Sequence, residues 1–574
     1  MPDENYLPQV DGEGQGIFLN SVQNKIDVTA TQGEAVGVLA SNKEGTTKPT
    51  TELTIKGATI IAKGEGSASS VGVKAEEDGK LTLTGGVTVD AQGNNATGMD
   101  IAKSTVTVTG NTKVTSSGVG VKASTDGSVV VGDAAMLETN SMSSEGSTTI
   151  GQDGTLKVTG SKDGNSTLGN VAANGGTVEL GSGNFAVNEL TGAGKKIALN
   201  DLSATVNVTK KTDDMIIVAT KKANNQNFVN AQEAAEAALK AVTVGNDTGA
   251  EKNQLIVEAG DVNNGLTATI DKNGNLSNVK EIENPTLNAY SSAATLTVFQ
   301  WRHDMSDLTK RMGELRTSPE GIGSWARVYG SKQTYGAQSL TAKNSSIQVG
   351  SDVDVGNDWK VGAAFTYTDG KTTYAQGKAD NKGYGIAAYG TWMADNGQFV
   401  DLIAKYQRMD NDFEVNSMSG SFDNNAFSLS AEYGWHWNLN NVGFLEPQAE
   451  LTYGKVIGEE FTTSNDVTID QEDFESLIGR VGVRGGFYFP NNKGVIYARA
   501  SVLHDFMGEM ESTARQGKSM NTIKDDIGGT WFEWGLGANF KVNDSAYTYV
   551  DLERTNGGEV VEDFRWTVGA RFVW

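Results

Sequence analysis

The sequence predicts an all-β chain in two parts: an N-terminal right-handed β-solenoid, then a C-terminal 12-stranded antiparallel transmembrane β-barrel with an α-helix threaded through the lumen. Three observations predict it. Aromatic residues crowd into the second half, the first half repeats loosely in Thr, Val and Gly, and the second half alternates apolar with polar residues between connections that are alternately short and long.

The aromatic break lies near residue 285. All ten Trp lie at or after Trp301, 14 of the 15 Tyr lie at or after Tyr290, and of 19 Phe only Phe18, Phe185 and Phe228 come earlier. Two different cores are implied.

In the first half, KIDVTATQ (25–32), GATIIAKG (57–64), GVTVDAQG (86–93) and TKVTSSG (112–118) each precede a short Gly-apolar element. These are GVLA from Gly37, GVKA from Gly72, GMDI from Gly98 and GVKA from Gly120, spaced by 35, 26 and 22 residues. A second strand follows each: TELTIKG, KLTLTGG, STVTVTG and SVVVGD. Such units read as solenoid rungs, each stacking a short inward row of Val, Ile or Leu on its neighbour while Gly and Asn take the corners. A disordered Thr/Gly-rich stalk is the alternative, and the regular apolar alternation argues against it. AQEAAEAALKAV (231–242) reads as a short helix within a capping region of about 208–284. The solenoid part is therefore placed at 1–284.

From Ser324 onward twelve segments alternate with period two. TWFEWGLGANFKV sets Phe532, Trp534, Leu536, Ala538, Phe540 and Val542 against Glu533, Gly535, Gly537, Asn539 and Lys541. The last segment, FRWTVGARFVW, sets Phe564, Trp566, Val568, Ala570, Phe572 and Trp574 against Arg565, Thr567, Gly569 and Arg571. Soluble sandwiches alternate too, so the connections decide. Tight ones at 356–358, 394–396, 440–442, 491–494 and 543–544 alternate with long polar ones at 331–344, 368–381, 409–425, 456–473, 507–530 and 555–562. That rhythm over an even strand count marks an outer-membrane barrel, placed at 317–574. Lipid demands a closed sheet, because an open edge leaves backbone amides and carbonyls unpaired in hydrocarbon.

An even strand number leaves both barrel ends on the periplasmic side, so a passenger outside requires a connection through the lumen. Residues 289–316 are suited to it: they lack Gly and Pro until Gly313, and as a helix they reach roughly 40 Å. Met305, Leu308, Met312 and Leu315 share one stripe. The linker helix is placed at 285–316.

Charge and composition exclude several functions. The formal net charge of −24 argues against nucleic acid as a partner. With no Cys there is neither a thiolate metal site nor a Cys nucleophile, and no metal and no cofactor is expected. GQDG (151–154) lacks the tandem series of a calcium-binding repeat. His303, His436 and His504 are the only histidines, so no Ser-His-Asp triad fits within 1–284, and no G-x-S-x-G occurs. Glu76-Glu77 and Asp213-Asp214 read as solvent-facing acids rather than a glycosidase pair. The expectation is a chain that is not an enzyme. The start, MPDENYLPQV, lacks the basic and apolar regions of a secretory signal, so a trimmed or missed upstream signal is expected.

KRMGELR (310–316), SWARVYG (324–330), FLEPQAELTYG (444–454) and the final strand together resemble the bacterial autotransporters of monomeric type V secretion, with a pertactin-like passenger. The resemblance implies a barrel that enables export and surface display of its own passenger in the outer membrane of a Gram-negative cell. It also implies an outer-membrane insertion signal at Thr567, Gly569, Phe572 and Trp574, read by the barrel assembly machinery. The family's self-cleaving branch carries an Asn-Asn pair in the linker; here Ser306 and Asp307 stand there, so cleavage by that route is expected to be inactive. Expected partners are outer-membrane lipid, the assembly machinery, and a host glycan, host protein or sister passenger. The expected function is tethered adhesion or self-association; the alternatives are a released effector or enzyme, and a porin-like channel.

Overall fold

The computed structural model describes residues 24–42, 52–226, 228–248, 253–271, 273–305, 321–375, 377–415, 418–440 and 442–574. The chain divides into two compact units, 1–284 with 517–519, and 285–516 with 520–574. Each is described by itself.

The first unit is a stack of parallel strands in three columns. Asn24–Ala30, Ala58–Gly64, Val87–Gly93 and Asn111–Ser116 pair in sequence as one column. Glu34–Ser41, Ser69–Glu76, Ala96–Ala102 and Val119–Ala123 form the second. Glu52–Lys56, Lys80–Thr84, Thr105–Val108 and Ser128–Val131 form the third. A rung therefore holds three strands: the Gly-apolar elements are strands in their own right.

Those elements carry the tightest packing. Gly37, Gly72, Gly98 and Gly120 lie above one another in register. A Cβ at Gly37 would lie 2.6 Å from Gly72 O, one at Gly72 2.7 Å from Gly98 O, and one at Gly98 2.5 Å from Gly120 O. Each would also strike an inward side chain of the neighbouring column: Ile60, Val89 and Val114. These glycines are required for size, while Gly57, Gly85 and Gly86, with φ of +59°, +68° and +86°, take the corners. Ile60, Val89 and Val114 are themselves stacked partners and wholly buried, part of one continuous core.

Outside that core the same register aligns charges. Lys113, Glu138, Lys157 and Glu179 are successive partners, with ion pairs of 3.3, 3.3 and 3.5 Å running up the stack. The helix Ala231–Ala241 interrupts the last rungs. The Asn230 side chain accepts from Glu233 N at 3.0 Å and the Glu233 carboxylate accepts from Val229 N at 2.7 Å, a reciprocal cap. Its alanine face is buried against the solenoid end. Gln254–Val257, Gly265–Ile270 and Leu276–Ile282 then pair antiparallel, which ends the parallel stack.

The second unit is a closed antiparallel barrel of twelve strands. They are β1 Ile322–Tyr335, β2 Leu340–Gly356, β3 Trp359–Tyr374, β4 Gly377–Met393, β5 Gln398–Val415 and β6 Met418–Trp435, which resumes after His436 as Trp437–Leu439. The others are β7 Gly443–Val456, β8 Phe474–Tyr488, β9 Gly494–Asp505, β10 Gly529–Lys541, β11 Ala546–Asn556 and β12 Val560–Val573. β12 pairs with β1 from Gly323↔Val573 to Tyr335↔Val560, so no sheet edge is left open.

Four of the six long connections differ from expectation. Around 331–344, 368–381, 409–425 and 555–562 the strands run on almost to the turn; β3 and β4 stay paired as far as Tyr374↔Gly377. The physical reason is that these polar stretches keep their alternation, and a ladder tolerates Lys, Asp and Thr where both faces meet water. Only 457–473 and 506–528 leave the wall. Their short strands Glu460–Thr462, Thr468–Gln471, Glu509–Gln516 and Ser519–Asp526 form a separate four-stranded sheet.

The outward faces mark the membrane. On β3, β4 and β6 the outward aromatic pairs Trp359/Tyr367, Tyr384/Trp392 and Phe427/Trp435 are each eight positions apart. At about 3.3 Å per residue that is about 26 Å along a tilted strand, the scale of an outer-membrane apolar band between aromatic girdles. The next outward residues beyond the upper girdle are Asp369, Lys382 and Asn425.

Candidate functional site in the barrel lumen

The helix Pro285–Met305 is buried over most of its circumference although it is rich in Ser, Thr, Ala and Gln. Such a helix is stable only where its polar groups find partners, and strands around the barrel wall supply several of them. The buried Gln300 amide and Trp301 indole N–H make no hydrogen bond among the described residues. The Thr297 hydroxyl donates to Asn424 Oδ1 on β6 at 2.7 Å and accepts from Asn411 Nδ2 on β5 at 3.1 Å. Arg302 donates to Asp505 on β9 at 3.1 Å and to Ile527 O at 2.9 Å, with its guanidinium 5.3 Å from the Trp531 ring. The Trp301 indole sits over Gly454 on β7 and meets Phe474 of β8 edge-on at 5.8 Å.

The last described turn of the helix is held most densely. His303 Nδ1 and Nε2 lie 2.6 and 2.9 Å from the hydroxyls of Ser331 on β1 and Ser346 on β2, and its ring stacks on Tyr329 at 5.0 Å. The Asp304 carboxylate accepts from Tyr329 OH at 2.7 Å, Gln407 Nε2 at 2.9 Å and Thr368 Oγ1 at 3.0 Å. Arg565 on β12 donates to the His303 carbonyl at 2.8 Å, and Lys405 on β5 donates to the Asp304 carbonyl. Two wall cations thus meet backbone carbonyls in the last described turn, each through a charge-assisted hydrogen bond.

Several other lumen-facing charges are paired with one another. Arg480 binds Glu450 at 2.6 Å and also Glu432; Arg484 binds Glu446 at 3.0 Å; Arg499 binds Glu553; Arg571 binds Asp352 at 2.6 Å. His436 accompanies Glu446 at 2.7 Å and Tyr488 at 3.1 Å. His504, in contrast, faces outward beside Phe506. Among the described residues no group of three or more His, Cys, Asp or Glu is placed to hold a metal ion.

β12 carries Thr567, Gly569 and Phe572 of the expected insertion signal, and Trp574 follows it directly. Thr567 is buried toward the lumen opposite Tyr329, and Phe572 and Trp574 are exposed on the outer face with rings 5.6 Å apart. A Cβ at Gly569 would collide with the Tyr549 ring of β11, 2.7 Å from its Cε2. Gly350 under Trp325, Gly362 under Tyr389 and Gly537 under Tyr497 repeat the arrangement. Sequence reasoning missed these glycine–aromatic pairs, because they become visible only once strand register is known. Ser306 and Asp307, with the stripe residues Leu308, Met312 and Leu315, lie outside the described residues.

Residues 324–553 match the family described as Autotransporter beta-domain. The Serine protease pet autotransporter of Escherichia coli O44:H18 is 26% identical over 268 residues, 45% of this chain and 20% of the relative. The serine protease EspC of E. coli O127:H6 is 25% identical over 431 residues, 69% of this chain and 32% of the relative. The pertactin autotransporter of Bordetella parapertussis is 27% identical over 289 residues, 48% of this chain and 31% of the relative. Among solved structures, the β domain of the Bordetella autotransporter BrkA is similar with a TM-score of 0.38 and 20% identity, over 44% of this chain and all of that one. The chain spans about a fifth to a third of the length of these curated relatives. They also bring a correction. The expectation that the chain is not an enzyme is overturned, because several matched relatives are named serine proteases, so an enzymatic passenger lies within the range of proteins that share this barrel.

Proposed function

We propose that this chain, whose residues 324–553 match the autotransporter β-domain family, sits in the bacterial outer membrane, where its barrel exports the chain's own N-terminal solenoid and keeps it tethered at the cell surface. The carrying observation is the helix Pro285–Met305, held by hydrogen bonds and packing from at least ten of the twelve strands. It begins one residue after the solenoid unit and runs into the lumen, as a chain drawn through the barrel would.

In this reading the solenoid's work is adhesion or self-association. Its stacked columns repeat Thr, Asn and Lys along a face, which suits weak multivalent contacts with a host glycan, a host protein or a sister passenger. The linker stays intact because Ser306 and Asp307 lack the amide nucleophile of the self-cleaving branch. Thr567, Gly569, Phe572 and Trp574 act as the signal that the barrel assembly machinery reads. A second reading, a released passenger with enzymatic activity, is favoured by the relatives named serine proteases.

The test is expression with a supplied signal peptide and an early tag in a diderm host, with membrane and medium compared before and after external protease. A membrane band near the chain's 60.7 kDa that external protease shortens supports the tethered reading. A passenger-sized fragment in the medium moves the protein to the second.

A further inference from the structure

Two lysines near the end of the solenoid stack, Lys195 and Lys211, are wholly buried. Lys195 donates to the backbone oxygens of Gly192, Thr212 and Asp214. Lys211 is placed differently. It ends the strand Thr205–Lys211, and it stands in register with Asp247, which ends the parallel partner strand Val242–Asp247. Lys211 Nζ lies 2.5 Å from one oxygen of the Asp247 carboxylate and donates to Asn253 Oδ1 at 3.1 Å and Asp213 O at 2.6 Å. Asn253 directly precedes the strand Gln254–Val257. Its Nδ2 donates to the other Asp247 oxygen at 2.8 Å, and its Oδ1 also accepts from Met215 N at 3.1 Å.

An amine, a carboxamide and a carboxylate that touches both are the parts of an amide transfer. The amine is held beside the carboxamide by paired strands, and fixed proximity is what a slow reaction between weak partners needs most. Asp247 is placed to take a proton from the attacking nitrogen and to hand one to the leaving nitrogen. The Met215 N–H meets Asn253 Oδ1, where negative charge grows as the carbon becomes tetrahedral. Burial of Lys211 and Asn253 keeps water from competing, while the partly exposed Asp247 leaves a way out for ammonia.

We infer that Lys211 and Asn253 join through an intramolecular amide, the Lys211 Nζ–Asn253 Cγ bond forming as the Asn253 Cγ–Nδ2 bond breaks. The Lys211 ammonium and the Asn253 carboxamide become a secondary amide and one ammonium ion. Atoms and charge balance, no oxidant or cofactor is needed, and Asp247 returns to its carboxylate. The bond also removes one of two neighbouring buried cations: burial, then the Lys211 charge, holds the Lys195 amine below its ordinary 10.5. It closes residues 211–253 around the helix Ala231–Ala241, a covalent brace in a chain that has no Cys for disulfides. The three groups meet only when the last rungs are in register, so the bond forms after the solenoid folds and does not depend on what the solenoid binds.

The test is mass spectrometry of the full chain, purified from outer membranes and then denatured, both intact and after proteolysis. The native chain should be lighter than its sequence by one ammonia, and a branched peptide should join Lys211 to Asn253. Asp247→Ala keeps the amine and the carboxamide but should retain the ammonia, as should Lys211→Met. Far-UV circular dichroism checks that each variant solenoid is folded. The native chain alone decides whether the bond exists, and the variants decide the role of Asp247. Lys211 and Asn253 recovered in separate, unmodified peptides from the native chain overturn the inference. Loss of ammonia without a branched peptide, the mark of a cyclised Asn253, overturns it too, as does loss of water, the mark of a Lys211–Asp247 bond. Full crosslinking in Asp247→Ala overturns the role given to that carboxylate.

Discussion

The indole of Trp301 fills the space that a side chain at residue 454 would need: a Cβ on Gly454 would lie 2.7 Å from Trp301 Cε2. A glycine of the barrel wall and the largest buried side chain of the lumen helix are thus one packing unit. Replacing Gly454 by Leu should expel the ring and loosen the helix at a cost of about 1–3 kcal/mol, the usual penalty of overpacking. Single-channel recordings check it: the native chain should conduct poorly, and Gly454→Leu should show larger and more frequent openings.

Arg565 bridges the wall and the helix end, binding Glu562 at 2.6 Å and the His303 carbonyl at 2.8 Å. Arg565→Met removes the cation that binds the partly buried Glu562 carboxylate and donates to the His303 carbonyl. A loss of about 2–3 kcal/mol is expected, below the about 3–5 kcal/mol of a fully buried broken pair because Glu562 keeps some contact with solvent. Urea unfolding of the detergent-solubilised chain measures it, and a midpoint within error of the native one would contradict the assignment.

The glycine stack of the solenoid has no room for a branched side chain. Gly98→Val meets both Val114 and the Gly120 carbonyl, so the rungs on either side must separate. Far-UV circular dichroism should show the solenoid transition falling sharply, while heat-modifiable migration of the barrel stays native.

The Lys113–Glu138–Lys157–Glu179 ladder makes solenoid stability depend on pH. Partial burial raises the Glu138 carboxyl, and hydrogen bonds from Lys157 and Lys113 more than offset that, holding it below its ordinary 4.5. Its contribution is therefore present above the ordinary carboxylate range and lost as pH falls through the depressed value. Burial lowers the Lys157 ammonium while Glu179 and Glu138 raise it further, so its contribution is lost only as pH rises past the ordinary 10.5. Glu138→Gln should cost up to about 1 kcal/mol near pH 7, as these groups are partly exposed. Melting curves of native and variant chains should converge as the pH is lowered through the carboxylate range.

Much of this architecture is legible in the sequence, and the limits are physical. Period-two alternation identifies barrel strands because one face meets lipid, and it places Arg565, Thr567 and Arg571 in the lumen. It does not locate strand ends. Lys371 and Asp380 read as loop residues, yet the ladder continues through them in water. Repeat spacing finds Gly37, Gly72, Gly98 and Gly120 but not why they recur, since the reason is a stacked rung seen only in register. Gly454 under Trp301 and Gly569 under Tyr549 are pairs between distant segments, which no local pattern reveals.

The central claim is one of sidedness: solenoid and long hairpins outside, tight turns inside. With no Cys in the chain, single cysteines report it cleanly. Asn94→Cys in the solenoid, Lys378→Cys at the tip of the β3–β4 hairpin and Asp544→Cys in the tight β10–β11 turn are all at exposed positions. A membrane-impermeant maleimide applied to intact cells should label Asn94→Cys and Lys378→Cys and spare Asp544→Cys until the cells are opened. Labelling of Asp544→Cys on intact cells while Asn94→Cys stays protected would contradict the account.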